Sequence, residues 1–290
     1  MISPKTCAAL LLLATSGAWA QQPTAREVIG KIEKATGAQL PVPTVDTIKG
    51  GDPEQKVTGI AVTFLDTYAV LQRAAAGGDN LIVTHEPTFY THTDDQSILG
   101  DDVVQAEKAA FIRDRHLVVW RFHDLWHLRE PDGILQGVTE RLGWGQFQVL
   151  GQPGLFKLPP TTLAALETSL KAKLDAPFLR VVGDPKMRVT RIALLPGAAG
   201  EVEQVKMLER DDVEVLVAGE SAEWEAVEYA RDAIAQGRRK ALVLLGHEVS
   251  EEPGMEYCAK WIQELFPNIP VKFIKAGSPF TPASLPQSSK

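Results

Sequence analysis

The chain has 290 residues, 30 of them basic and 37 acidic, for a formal net charge of −7. A chain this acidic has no electrostatic footprint for nucleic acid, and no apolar run in it is long enough to span a bilayer. Its two cysteines are Cys7, inside an amino-terminal export signal, and Cys258, so the mature chain has no intramolecular disulfide and a metal site in it must draw mainly on nitrogen and oxygen ligands.

That export signal comes first in chain order. Lys5 gives a positive start, residues 7–14 are rich in Ala and Leu, and Ala18-Trp19-Ala20 places small residues at the two positions a signal peptidase reads. The layout predicts cleavage before Gln21 and a periplasmic or secreted protein. Residues 24–37 then form a helix: Thr24-Ala25-Arg26-Glu27 is a capping box, Val28, Ile29, Ile32 and Ala35 an apolar stripe, and Gly37 a stop. After a Pro-containing link, residues 57–64 read as a strand. Asp66 or Thr67 caps a helix through Ala76, and residues 81–83 are a short apolar strand. A helix at about 103–113 and a strand at 117–122 follow. Beyond a junction near 143–160 the rhythm repeats: helix 161–174, strand 178–182, strand 189–195, helix 201–209, strand 213–217, long helix 221–236 and buried strand 241–245. A helix at 253–266, with Pro253 in its first turn, and a last strand at 271–274 complete the series. Cys258, beside Met255, Trp261 and Ile262 on that helix, reads as packed core. Such alternation builds mostly parallel sheets covered by helices. The expected fold is α/β in two similar lobes, 21–147 and 148–277, with a metal cleft between them and a loose tail at 278–290.

Of six histidines, three sit just past an apolar strand: His85 after Leu81-Ile82-Val83-Thr84, His123 after the strand at 117–122, and His247 after Leu242-Val243-Leu244-Leu245-Gly246. In open α/β sheets ligands bind outside the carboxyl ends of strands, where side chains distant in sequence converge. Carboxylates accompany these histidines: Glu86 follows His85, Asp124 and His127 follow His123, and Glu251 lies four residues after His247 on what reads as a strand-to-helix loop. A lone histidine at a strand end is more often a hydrogen-bonded structural residue, but three such clusters together point to a metal site. Imidazole with carboxylate suits zinc, manganese, iron or nickel. His92 and His116 lack this placement and read as ordinary histidines.

These residues also carry a family resemblance. The run from Gly51 to Ile60 leading to Leu65-Asp66-Thr67, the segment Leu81-Ile82-Val83-Thr84-His85-Glu86-Pro87, the segment Val217-Ala218-Gly219-Glu220, and above all Gly246-His247-Glu248-Val249-Ser250-Glu251 with a terminal Pro279-Phe280 resemble the NIF-three-like family. Its members are the dinuclear metal centre proteins, also named GTP cyclohydrolase I type two homologues. The resemblance implies two divalent metal ions held by three histidines, one aspartate and one glutamate, and homo-oligomers, often ring-like and a hexamer among them. His85, His247 and Glu251 match the family's ligands. Glu86 stands where a second histidine is expected, and His127 where the aspartate of His-Thr-Asn-Leu-Asp is expected. The implied metal set is thus His85, Glu86, His127, His247 and Glu251. It again holds three imidazoles and two carboxylates, so the two departures compensate; the alternative is one lost metal, with His123 or Asp124 filling in.

Two functions fit. One is a metal-dependent hydrolase of a small-molecule substrate that the sequence does not identify, with Glu220, Glu248 or Glu252 as candidate general base. The other is a non-catalytic metal-binding or assembly protein. Nucleotide binding at residues 197–200 is disfavoured, because that loop lacks the Lys-Ser/Thr of a P-loop and the spacing of a dinucleotide fingerprint.

Overall fold

The capping box at Thr24 forms as expected. Its hydroxyl accepts from the Glu27 N–H, the Glu27 carboxylate accepts from the Thr24 N–H, and α1 (Ala25–Thr36) ends at Gly37 with a left-handed φ of 72°. The structure, a computed structural model, describes residues 22–282; the expected export signal at 1–20 and the tail beyond 282 lie outside those residues. The chain continues through β1 (Ile48–Gly50), β2 (Ile60–Thr63), α2 (Tyr68–Ala76), β3 (Leu81–Thr84), α3 (Val103–Asp114), β4 (Val118–Arg121), α4 (Asp124–Leu128) and α5 (Gly133–Leu142). There follow β5 (Leu155–Thr162), α6 (Leu163–Leu174), β6 (Arg180–Val182), β7 (Arg188–Leu195), α7 (Glu201–Glu209), β8 (Val215–Ala218), α8 (Glu228–Ala235), β9 (Ala241–Leu244), α9 (His247–Leu265) and β10 (Val271–Phe273).

Two five-stranded sheets result, in the orders β1-β4-β3-β2-β10 and β5-β7-β8-β9-β6. β10, β2, β3 and β4 run parallel, with β1 antiparallel at the edge. In the second sheet β7, β8 and β9 run parallel between antiparallel β5 and β6. The mostly parallel, helix-covered α/β fold expected from the alternation is therefore present. Buried strands alternate their side chains between two faces. Ile60 and Val62 pack with Val28 and Ile32 of α1 and Met255 and Ile262 of α9. Ala61 and Ile82 pack on the other face with Leu71 of α2 and Ile112 of α3. The second sheet is covered likewise, by α6 on one face and by α7 and α8 on the other.

The carboxyl-terminal third departs from expectation. Pro253 lies inside α9, which begins six residues earlier at His247 behind Gly246, whose φ is 94°. His247 and Glu251 are therefore one turn apart on a helix, and the expected loop between them does not exist. The last strand, β10, pairs with β2 of the first sheet and not with a strand of the second. A division at 147/148 therefore does not follow sheet membership. α9 itself joins the two cores: Val249 packs in that of the second sheet, Met255 to Ile262 in that of the first. α5, not expected from the sequence, does the same with Ile134 and Val138. The two helices touch backbone to backbone, since a Cβ on Gly137 would stand 2.6 Å from the Gly254 Cα. The helix expected over 221–236 is broken, with a π-helical segment at Glu223–Val227 before α8.

Candidate metal centre

Three strand ends deliver the cluster. β3 stops at Thr84 and presents His85 and Glu86; β4 stops at Arg121, and His123 and His127 follow on either side of the start of α4. β9 of the other sheet leads through Gly246 into His247 and Glu251 on the first two turns of α9. All five residues expected as ligands come together, and His123 joins them. The rings of His85, His123 and His127 have centroids 4.6–5.0 Å apart. Glu251 Oε2 lies 3.1 Å from His247 Nε2 and 3.4 Å from His85 Nε2. Glu86 Oε1 is 3.3 Å from His247 Nε2 and 4.0 Å from His123 Nε2. Donor atoms of His85, His123 and His127 lie within 4.8 Å of one another, and so do those of His85, Glu86 and Glu251.

Each imidazole is oriented by a partner on its other nitrogen. Nδ1 of His123 bonds Asp124 at 2.9 Å, that of His127 bonds Asp132 at 2.9 Å, that of His247 bonds Glu220 at 3.2 Å, and that of His85 bonds the Phe122 carbonyl at 3.1 Å. All four partners are acceptors, so Nδ1 carries the proton and Nε2 turns inward, as in metal-ligating histidines. Nε2 of the fully buried His85 makes no hydrogen bond at all. A buried nitrogen lone pair with no donor is costly, and a cation is the partner that it lacks. The donor set therefore fits a metal.

A further layer holds these side chains. The buried Asp46 carboxylate accepts from the backbone N–H groups of His123, Asp124 and Leu125 at 2.8–2.9 Å and so fixes the start of α4. The fully buried Arg121 donates to the His85 carbonyl at 3.0 Å and to Glu86 Oε2 at 3.2 Å. Ser250 Oγ donates to the His247 carbonyl and accepts from Gly197 N–H at 2.8 Å. Gly197, in the loop considered for nucleotide binding, packs on Glu251 so closely that a Cβ would meet its carboxylate at 1.9 Å.

Burial and charge set the protonation. Burial works against a charge on His247, yet its hydrogen bonds to Glu251 and Glu86 outweigh that and raise its pKa to about 11. Burial and the neighbouring imidazoles push His123 down to about 4. Burial opposes ionisation of Glu251, but the hydrogen bond from His247 and the adjacent rings hold it well below the usual carboxylate range. Burial next to Glu252 raises Glu248 to about 7.

Two cavities flank the cluster and both reach Glu86 and His247. One, of about 450 Å³, is lined by His92, His123, His127 and Glu251. The other, of about 760 Å³, includes Phe64, Glu248 and Phe280. His92, read from the sequence as ordinary, thus faces the cluster, with its ring 6.4 Å from that of His123. His123 obeys the strand-end rule that finds His85 and His247. Asp46 and Asp132 carry no local signal of their roles. Of the carboxylates considered as a base, Glu252 is committed to the N–H groups of Ala276 and Gly277 and Glu220 to His247, while Glu248 faces the larger cavity.

Residues 44–279 match the family model described as Duf34/NIF3 (NGG1p interacting factor 3). No curated protein matches the chain. Among solved structures it is similar to a Bacillus cereus protein related to NIF3, with a TM-score of 0.71 at 14% identity over 91% of this chain and 99% of that one. It is also similar to Staphylococcus aureus protein SA1388, with a TM-score of 0.68 at 16% identity over 89% and 98% of the two chains. Reduced HcgD from Methanocaldococcus jannaschii gives 0.61 at 15% identity over 87% and 97%.

Proposed function

Because the chain belongs to the Duf34/NIF3 family, we propose that His85, Glu86, His123, His127, His247 and Glu251 hold a dinuclear divalent-metal centre and that the protein is a metal-dependent hydrolase of a small molecule. The observation that carries this reading is the arrangement of the four imidazoles. Every Nδ1 is bonded to an acceptor, every Nε2 turns inward, and the deepest Nε2 has no partner. The four imidazoles would each offer one nitrogen to the ions, and Glu86 and Glu251 would offer carboxylate oxygens beside them. Zinc, manganese, iron and nickel all suit this donor set.

Two ions held there would supply Lewis acidity and a nucleophile at neutral pH. The chain does the rest. Asp46, Asp124, Asp132 and Glu220 fix the imidazoles, Arg121 fixes Glu86, and Glu248 stands at the cavity wall as the carboxylate free to take or give a proton. The same reading includes export ahead of Gln21 and assembly into a homo-oligomer.

The test is made on protein recovered from the exported fraction and loaded in turn with each metal. Elemental analysis should give two ions per chain, falling in His85→Ala and His247→Ala. A panel of phosphoesters, amides and cyclic nucleotides should include one that is cleaved by the loaded protein and not by either variant. Two ions with no such cleavage would leave a non-catalytic metal-binding or assembly protein; no ions would remove the centre. Intact mass beginning at Gln21 and a light-scattering mass above that of one chain check the remainder.

A further inference from the structure

The two cavities at the cluster differ in character. The smaller is lined by the histidines. The larger takes its walls from both sheets and from the segment after β10, and they are mainly apolar, with Phe64, Pro177, Phe178, Leu245, Val249 and Phe280 among them. Its volume, about 760 Å³, is within the range of small-molecule sites, about 300–1,000 Å³. Phe64 is buried and sets its ring edge-on to His247, with centroids 5.5 Å apart. Phe178 and Phe280 meet edge-to-face at 6.5 Å, and Phe280 is 65% exposed, so this pair stands at the rim. Aromatic rings favour such offset and edge-on neighbours, and three phenylalanines around one space favour a fourth ring inside it. Glu86 and His247 are the lining residues shared with the histidine-lined cavity. A molecule with its polar end at the cluster therefore has one apolar direction in which to extend.

The geometry points to an aryl-binding subsite: the larger cavity receives the aromatic group of a ligand whose oxygen-donor head sits at the metal centre, while the histidine-lined cavity admits water. This rests on the metal reading above for the head, and on the phenylalanines alone for the aryl group.

Two hydroxamates with the same chelating head separate the two parts. Benzohydroxamate and acetohydroxamate are titrated by calorimetry into the metal-loaded full chain. Burial of the ring should make the benzo compound bind about tenfold tighter or more. Phe178→Ala and Phe280→Ala should each shrink that advantage while leaving acetohydroxamate affinity unchanged, and the exposure of Phe280 keeps its loss from disturbing the core. Equal affinities in the unaltered protein, or an advantage that survives both substitutions, would overturn the subsite. A metal-independent arm uses the neutral fluorophore phenylnaphthylamine on metal-free protein. Fluorescence enhancement that falls in both variants sustains the subsite even if no metal is found and the hydrolase reading fails. Enhancement insensitive to both variants, or none at all, overturns it.

Discussion

Glu86 occupies the middle of the cluster, with Oε1 facing His247 and His123 and Oε2 held by the buried Arg121. The family resemblance expects an imidazole here and a carboxylate at His127. Both positions line the same cavity, which is what an exchange of ligand types requires. Glu86→Ala and His127→Ala should each lower metal occupancy. Glu86→His combined with His127→Asp should restore more than either exchange alone, because only the pair keeps the number of imidazoles and carboxylates. Arg121 sharpens this expectation. Glu86→His alone takes a carboxylate from a buried guanidinium whose other nearby acid, Asp94, is 3.7 Å away, and an uncompensated buried charge is costly. That single exchange should therefore be the more damaging one. Elemental analysis of these five variants decides, and strictly additive losses would defeat compensation. At this scale the sequence was legible where a rule of placement applied: His85, His123 and His247 all follow buried strands. It was illegible for Asp46, which serves residues 77 to 79 positions further along the chain. Spacing gives no hint of such a partner.

Strands and most helices could be read because their signals are local: short β-branched runs such as Leu81-Ile82-Val83-Thr84, and caps such as Thr24. The start of α9 could not. A proline is the usual mark of a first turn, yet Pro253 is seated in mid-helix, where α9 is pinned against α5. β10 reads as a strand from its residues, but its choice of β2 as neighbour is a long-range matter settled by packing. What the sequence does show at 137 and 254 is glycine, and the fold explains it. A Cβ on Gly137 would come within 2.6 Å of the Pro253 carbonyl and the Gly254 Cα, both backbone atoms that cannot swing aside. Gly137→Ala should therefore force α5 and α9 apart, at a cost of about 1–3 kcal/mol or more. Since α9 carries His247 and Glu251, metal occupancy should fall as well, although residue 137 touches no ligand. Gly30→Ala on α1, where a Cβ meets nothing within 4 Å, is the control. Chemical denaturation and metal content measured on both variants test this, and unchanged values for Gly137→Ala would show that the helices have slack.

On the scale of the whole molecule, the cluster lies where the two sheets meet: four of its residues follow strands of the first sheet and two follow β9 of the second. Ions bound there would tie the layers together in the native state and have no equivalent site in the unfolded chain. Such binding raises stability by about 2.7 kcal/mol at a hundredfold excess over Kd, and for a chain of this size that moves Tm by about 5–10 °C. Acid should erode this gain, because protons compete with metal for imidazole. In the metal-free protein the sign for His247 is the opposite. Its pKa is raised to about 11, so its stabilising charge is fully present below the ordinary imidazole value and is lost only as pH rises toward 11. Between pH 6 and 8 that group makes the metal-free protein no more stable as pH rises. The falling contribution of His247 to the metal-free form, and the easier displacement of its proton by metal, should therefore both widen the metal-dependent rise in Tm over the same interval. Scanning calorimetry at pH 6 and pH 8, with and without metal, should show the increment growing with pH and collapsing in His247→Ala. An increment that is the same at both pH values, or intact in the variant, would mean that the ions do not join the two sheets through this helix.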